Sequence, residues 1–222
     1  IEWADKAMEY YDKSQSFVKI LSFQFPHKGK NLEPDPGGYA EYYLDRAAWE
    51  TDLTTKRQFL IKSEKLGLTA LENAEKLSQP NSIGLVSNVL SRAFTSRARL
   101  ETDLETKKSL LKKAMAFREK NIEISELFSD FITWNRGVGH IYLGQTKMEL
   151  SQLEKDQIKR KEFLEEARSS TRKGLDWCYK LLPGFEERRS LGNLGILSGY
   201  QDGYGKILVD LYKLTNNKEC LK

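Results

Sequence analysis

The chain is poor in the residues that build most catalytic and covalently stapled sites. Two cysteines in 222 residues, Cys178 and Cys220, exclude a disulfide scaffold and fit a reducing compartment, so a cytoplasmic location is expected. Two histidines, His27 and His140, are too few for a histidine-rich metal cluster, and no His/Cys/Asp group has ligand spacing. Five prolines and 15 glycines exclude a collagen-like or low-complexity chain. No charge excess of one sign exists: 36 Lys and Arg face 32 Asp and Glu, a net charge of +4. That is not the basic footprint of a nucleic-acid binder. No apolar run approaches the ~18 residues a membrane span needs, so no membrane association is expected. The opening Ile1-Glu2-Trp3-Ala4-Asp5-Lys6 carries acids where a signal peptide needs a hydrophobic centre.

Alternating runs of β-branched residues are also missing, so strands have no signal. What fills the chain is helical periodicity. From Leu100 to Phe128, apolar residues fall at Leu104, Leu110, Leu111, Ala114, Phe117, Ile122, Ile124 and Phe128, mostly three, four or seven apart. Glu, Lys and Arg lie between them, which favours helix and keeps the outer face wet. Eight helical segments are predicted, over 2–21, 38–51, 53–77, 82–101, 103–128, 131–152, 154–181 and 187–214. Pro26, Pro80 and Pro183 each follow a long segment, where a helix ends most readily. The longest break, Ser22 to Gly38, reads as an ordered insert or a hinge.

The segments repeat. Glu50-Thr51-Asp52-Leu53-Thr54-Thr55-Lys56 recurs 51 residues later as Glu101-Thr102-Asp103-Leu104-Glu105-Thr106-Lys107, with six of seven positions identical. Behind each comes a hydrophobic pair and a small residue: Phe59-Leu60 with Ser63, and Leu110-Leu111 with Ala114. Phe163-Leu164 with Ala167 is a third copy. Ala7, Ser63, Ala114 and Ala167 are spaced by 56, 51 and 53, which places the next small residue near the end of the chain. The expectation is a segment of a longer array: a half repeat over 1–21, repeats over about 38–80, 82–128 and 131–183, and a half repeat over 187–222. Thr102-x-x-Glu105 and Ser151-x-x-Glu154 read as capping boxes. On that alignment the third repeat carries about four extra residues, Lys155 to Lys159. The acids of the Glu-Thr-Asp-Leu motif recur at matching places, which suits helix capping better than catalysis.

Paired helices with a small residue near the start of the second, an aromatic or Leu partner and a proline after it resemble tetratricopeptide repeats. Leu143-Gly144 resembles that family's Leu-Gly pair, Ala114 and Ala167 its second-helix alanine, and Pro80 and Pro183 its terminal proline. The repeats here run 51–56 residues against the family's ~34. The resemblance implies an all-α fold, a right-handed solenoid of antiparallel helix pairs forming an α–α superhelix. It also implies that the first helices, the A helices, line a concave groove where Asn side chains clamp a peptide backbone through donor and acceptor together. The matching candidates are Asn88, Asn135 and Asn193, with Arg92 and Arg136 close behind two of them. The competing reading of each Asn is a cap or turn residue. Tyr39, Tyr42, Tyr43, Trp134 and Tyr142 lie near the same helices as apolar anchors, Trp134 being expected in the core. If Asn88 and Asn135 grip a ligand, Ala at both leaves the melt unchanged and weakens capture.

Five glycines, Gly192, Gly195, Gly199, Gly203 and Gly205, crowd the last segment. They read as tight packing against the preceding pair or as a docking surface for a partner, which includes self-association through terminal repeats. One His without a nearby nucleophile makes no triad, and Gly137-Val138-Gly139 lacks a preceding strand. No catalytic residue, metal or cofactor is expected. The expected function is a non-enzymatic scaffold that holds a protein or peptide partner. The alternatives are a regulatory or sensory module of a larger signalling or transcription-regulating protein, and an RNA-binding helical repeat, which the balanced charge disfavours.

Overall fold

The computed structural model describes residues 36–127, 133–185 and 191–217. The expected first helix and nearly all of the Ser22–Gly38 break lie outside them. The described residues are all-α, with seven helices: α1 (Pro36–Trp49), α2 (Leu53–Lys76), α3 (Pro80–Ala98), α4 (Leu104–Leu127), α5 (Thr133–Gln152), α6 (Gln157–Phe185) and α7 (Leu191–Thr215). Each helix packs on the next in the chain, with slighter contact between α1 and α3 and between α5 and α7.

Three of the helices start from the same local chemistry. Asp52 Oδ1 accepts from Thr55 N at 2.8 Å, Asp103 Oδ2 from Thr106 N at 2.8 Å, and Asp156 Oδ1 from Ile158 N at 2.8 Å. A carboxylate at this position satisfies an orphan backbone donor and opposes the positive end of the helix. The hydrogen bonds from Thr55 and Thr106 hold the Asp52 and Asp103 carboxyls below the usual range. Glu50 Oε1 and Glu154 Oε1 brace the approach by accepting from the next two backbone N–H groups. The capping boxes expected at Thr102 and Ser151 are therefore corrected. The cap is the Asp that follows Thr102, and Ser151 lies inside α5, donating its hydroxyl to Met148 O at 2.7 Å.

The third repeat has no insertion. Counted from Asp52, Asp103 and Asp156, the fully buried Leu60, Leu111 and Leu164 each lie eight residues on, and Ser63, Ala114 and Ala167 eleven. The same register holds backwards, where Ala47, Ala98 and Ser151 are buried five residues before the caps. Each buried Leu contributes about 1.5–3 kcal/mol of burial. Around these positions the core forms a succession of clusters. Leu44, Leu60 and Val89 join α1 to α3; Leu90, Phe94, Leu110 and Leu111 join α3 to α4; Leu164, Ile207 and Leu211 join α6 to α7.

The prolines act differently from expectation. Pro80 opens α3 at its first turn, where a missing N–H is harmless. The chain turns just before it at Ser78, φ 50°, with Gln79 N donating to Ala74 O at 2.9 Å. Pro183 lies within α6, two residues before its end.

Glycines govern one crossing. A Cβ on Gly144 would lie 2.7 Å from Ala167 O, and one on Gly174 2.8 Å from Ile141 N, so α5 and α6 meet backbone to backbone. This is the physical role of the Leu143-Gly144 pair. The α7 glycines are not packed in this way. Gly199 and Gly205 have nothing within 4 Å of a built Cβ, and Gly203 meets only Gln145 Nε2, at 3.4 Å. The expected tight packing of that run against the preceding pair is thus corrected at these three positions.

Candidate ligand groove

The register that repeats the core also repeats a polar face. Eleven residues before the three caps stand Glu41, Arg92 and Gln145; seven before them stand Asp45, Ser96 and Glu149. These belong to α1, α3 and α5 in turn. Arg92, Ser96, Gln145 and Glu149 line a cavity of about 430 Å³, floored by Leu44 of α1 and Leu60 of α2. Arg92 reaches back towards Glu41 and Asp45 at 3.8 and 3.6 Å. At the far side Arg99 pairs with Glu149 at 2.6 Å, and Lys56 donates to Glu50 O at 3.3 Å.

A residue that the sequence reading passed over, Arg118 of α4, closes the cavity wall. It is 3% exposed. Its Nη1 donates to Asn88 Oδ1 at 2.5 Å, and its guanidinium carbon lies 5.0 Å from the centre of the Tyr142 ring. Tyr142 meets Tyr200 edge to face, with the hydroxyls 3.3 Å apart. Among the described residues no carboxylate pairs with Arg118, and its Nε has no hydrogen-bond partner. Burial, with Arg92 nearby, pulls its pKa down to about 10, so it stays charged at neutral pH.

The expected site residues fall into different surroundings. Arg92 lines the cavity, and half-buried Asn88, one turn earlier on α3, holds Arg118. Arg136 sits away from the cavity. Its guanidinium lies 4.4 Å from the Trp177 ring and Nη2 donates to Glu126 at 3.2 Å, an acid shared with Lys173 at 3.1 Å. Asn135 and Asn193 lie on α5 and α7, and their side chains lie outside the described residues. In the cap register Asn88 corresponds to Ile141, not to Asn135, so the two asparagines are not repeat equivalents. Of the expected aromatics, Tyr142 lines the cavity, Tyr43 packs on Phe59, and Trp134 lies outside the described side chains.

His140 is buried, 3.6 Å from Glu126. Burial and Lys173 push its pKa down to about 4, so it is neutral at pH 7. Cys178 is buried too, and burial raises its thiol to about 11, which makes it inert.

No family model matches the chain, and no curated protein does. Among solved structures it is similar to the DHF58 filament, at 13% identity and a TM-score of 0.45, covering 83% of this chain and 84% of that one. It is also similar to the de novo designed helical repeat protein DHR64, at 13% identity and a TM-score of 0.42, covering 93% and 100%. Neither likeness carries an argument about function.

Proposed function

We propose that the chain is a tetratricopeptide-like right-handed solenoid of antiparallel helix pairs, and that it is a non-catalytic scaffold holding a peptide or helix of a protein partner in the groove of its A helices. One observation carries the reading. Positions in strict repeat register on α3 and α5, Arg92 with Gln145 and Ser96 with Glu149, line a single cavity with polar side chains, while the matching positions behind them build the core. A fold needs the second set. It does not need Arg92, Gln145 and Glu149 to converge, and repeated helices with a shared inner face suit an extended ligand.

Peptide selection tests it. A displayed library of random dodecapeptides is selected against the protein, and the enriched peptides are measured by fluorescence polarisation against wild type and Ser96→Trp, which fills the cavity. The proposal expects Ser96→Trp to weaken binding at least tenfold with an unchanged circular-dichroism spectrum. Equal binding by both proteins would move the ligand surface elsewhere.

A further inference from the structure

Arg118 is not demanded by the repeat. The position fifteen residues after each cap is Gly67 in the first repeat, Arg118 in the second and Thr171 in the third. Gly67 is closely packed, since a Cβ there would lie 2.7 Å from Leu90 Cδ2. Thr171 is buried. A guanidinium in this series is a departure, and it is an expensive one. A buried charge without a counter-charge loses its hydration and recovers little. Asn88 offers a neutral acceptor, and Tyr142 a ring face. Arg92, whose charge acts on it, is another cation.

The lining of the cavity repeats the imbalance. Among the described residues, Lys56, Arg92, Arg99 and Arg118 face the single acid Glu149, which Arg99 already occupies. A planar guanidinium with open N–H groups fits a carboxylate well. The acids Glu41 and Asp45 border Arg92, so a polyanionic backbone entering here would meet them, whereas a single compact charge between apolar neighbours would not. Leu44, Leu60 and Tyr142 supply those neighbours.

We propose that the cavity between α1, α3 and α5 binds a peptide through one acidic side chain, whose carboxylate pairs with the buried guanidinium of Arg118 beside Arg92. This rests on the groove reading and names the chemistry of its ligand.

The test uses two tetrapeptide-amide mixtures, N-acetylated, with Glu fixed at the second position in one and Gln in the other, and the remaining positions random among Ala, Leu and Tyr. Inorganic phosphate and a uridine decanucleotide at equal ionic strength are the other arms. The readouts are the melting temperature and the Arg118 Nε–H resonance of ¹⁵N-labelled protein, assigned by its loss in Arg118→Met. The proposal expects the Glu mixture to shift that resonance and raise the melting temperature in wild type. The Gln mixture should bind at least tenfold more weakly, and the Glu effect on melting should vanish in Arg118→Met. Equal effects of the Glu and Gln mixtures would overturn the carboxylate and leave the groove intact. A response to phosphate or the oligonucleotide that exceeds the Glu mixture would replace the peptide with a phosphate ligand. No response in any arm would overturn both readings. Where Arg118→Met fails to fold, Arg118→Lys, which also lacks an Nε–H, supplies the assignment, and the wild-type resonance still reports.

Discussion

Gly137 and Gly174 face each other where α5 crosses α6, so closely that a Cβ on Gly137 would stand 3.0 Å from the Gly174 carbonyl oxygen. The contact is backbone to backbone, and neither helix can yield without losing its own hydrogen bonds.

Gly174→Ala should therefore destabilise by at least ~1–3 kcal/mol, the usual magnitude of overpacking, despite the better helix propensity of Ala. Gly199→Ala and Gly205→Ala meet open space in the same kind of helix interior and should stabilise by roughly 0.5–1 kcal/mol each. Urea unfolding of the three variants checks the opposite signs.

The caps give a second contrast. Asp103→Ala and Asp156→Ala each remove a bond to a helix's first backbone donors and should lower stability by ~1 kcal/mol. Thr102→Ala, at the residue first read as the cap, should stay within ~0.5 kcal/mol of wild type. Comparing chemical-denaturation midpoints decides between them.

His140 sets a pH dependence. Its pKa falls from the ordinary 6.5 to about 4 on folding, so between these values the unfolded chain binds the extra proton. Stability is complete above pH 6.5 and declines as the pH falls towards 4, by roughly 2 kcal/mol from pH 7 to pH 5. Burial acts oppositely on Glu64, whose carboxyl it raises against the pull of Arg97, so the test must be differential. His140→Gln should be less stable than wild type at pH 7 and lose less on going to pH 5. Parallel slopes for the two proteins would contradict the assignment.

Asn88 no longer fits a purely ligand-facing role. Its side chain is the hydrogen-bond acceptor found for a buried guanidinium, and Asn88→Ala should cost about 1–3 kcal/mol by stranding that charge. A thermal melt equal to wild type would show that water or another group takes its place.

The helices and the repeat were legible because both are written locally. Leu60, Leu111 and Leu164 sit in pairs at fixed distance from an acid, and periodicity finds them. The cap was misplaced by one residue because Thr102 and Asp103 are both good capping residues, and only the hydrogen bond from Thr106 chooses. The error hid the third copy, Glu154-Lys155-Asp156, whose middle residue differs. Closeness across helices was harder. The sequence points to the crowded glycines of α7, while the close approach involves Gly137, Gly144 and Gly174 on two helices. Arg118 escaped for the same reason. Within Phe117-Arg118-Glu119-Lys120 it reads as one more solvated charge, and only the packing of α3 and α5 over α4 buries it. A comparison of the three cap-aligned positions, Gly67, Arg118 and Thr171, was the available signal.

The central claim is that the A-helix face holds a partner's chain. Amide chemical-shift mapping with a library-selected peptide tests it most directly. The account predicts perturbations clustered around Arg92, Ser96 and Gln145; a map centred on the outer Lys112 and Lys113 face would contradict it.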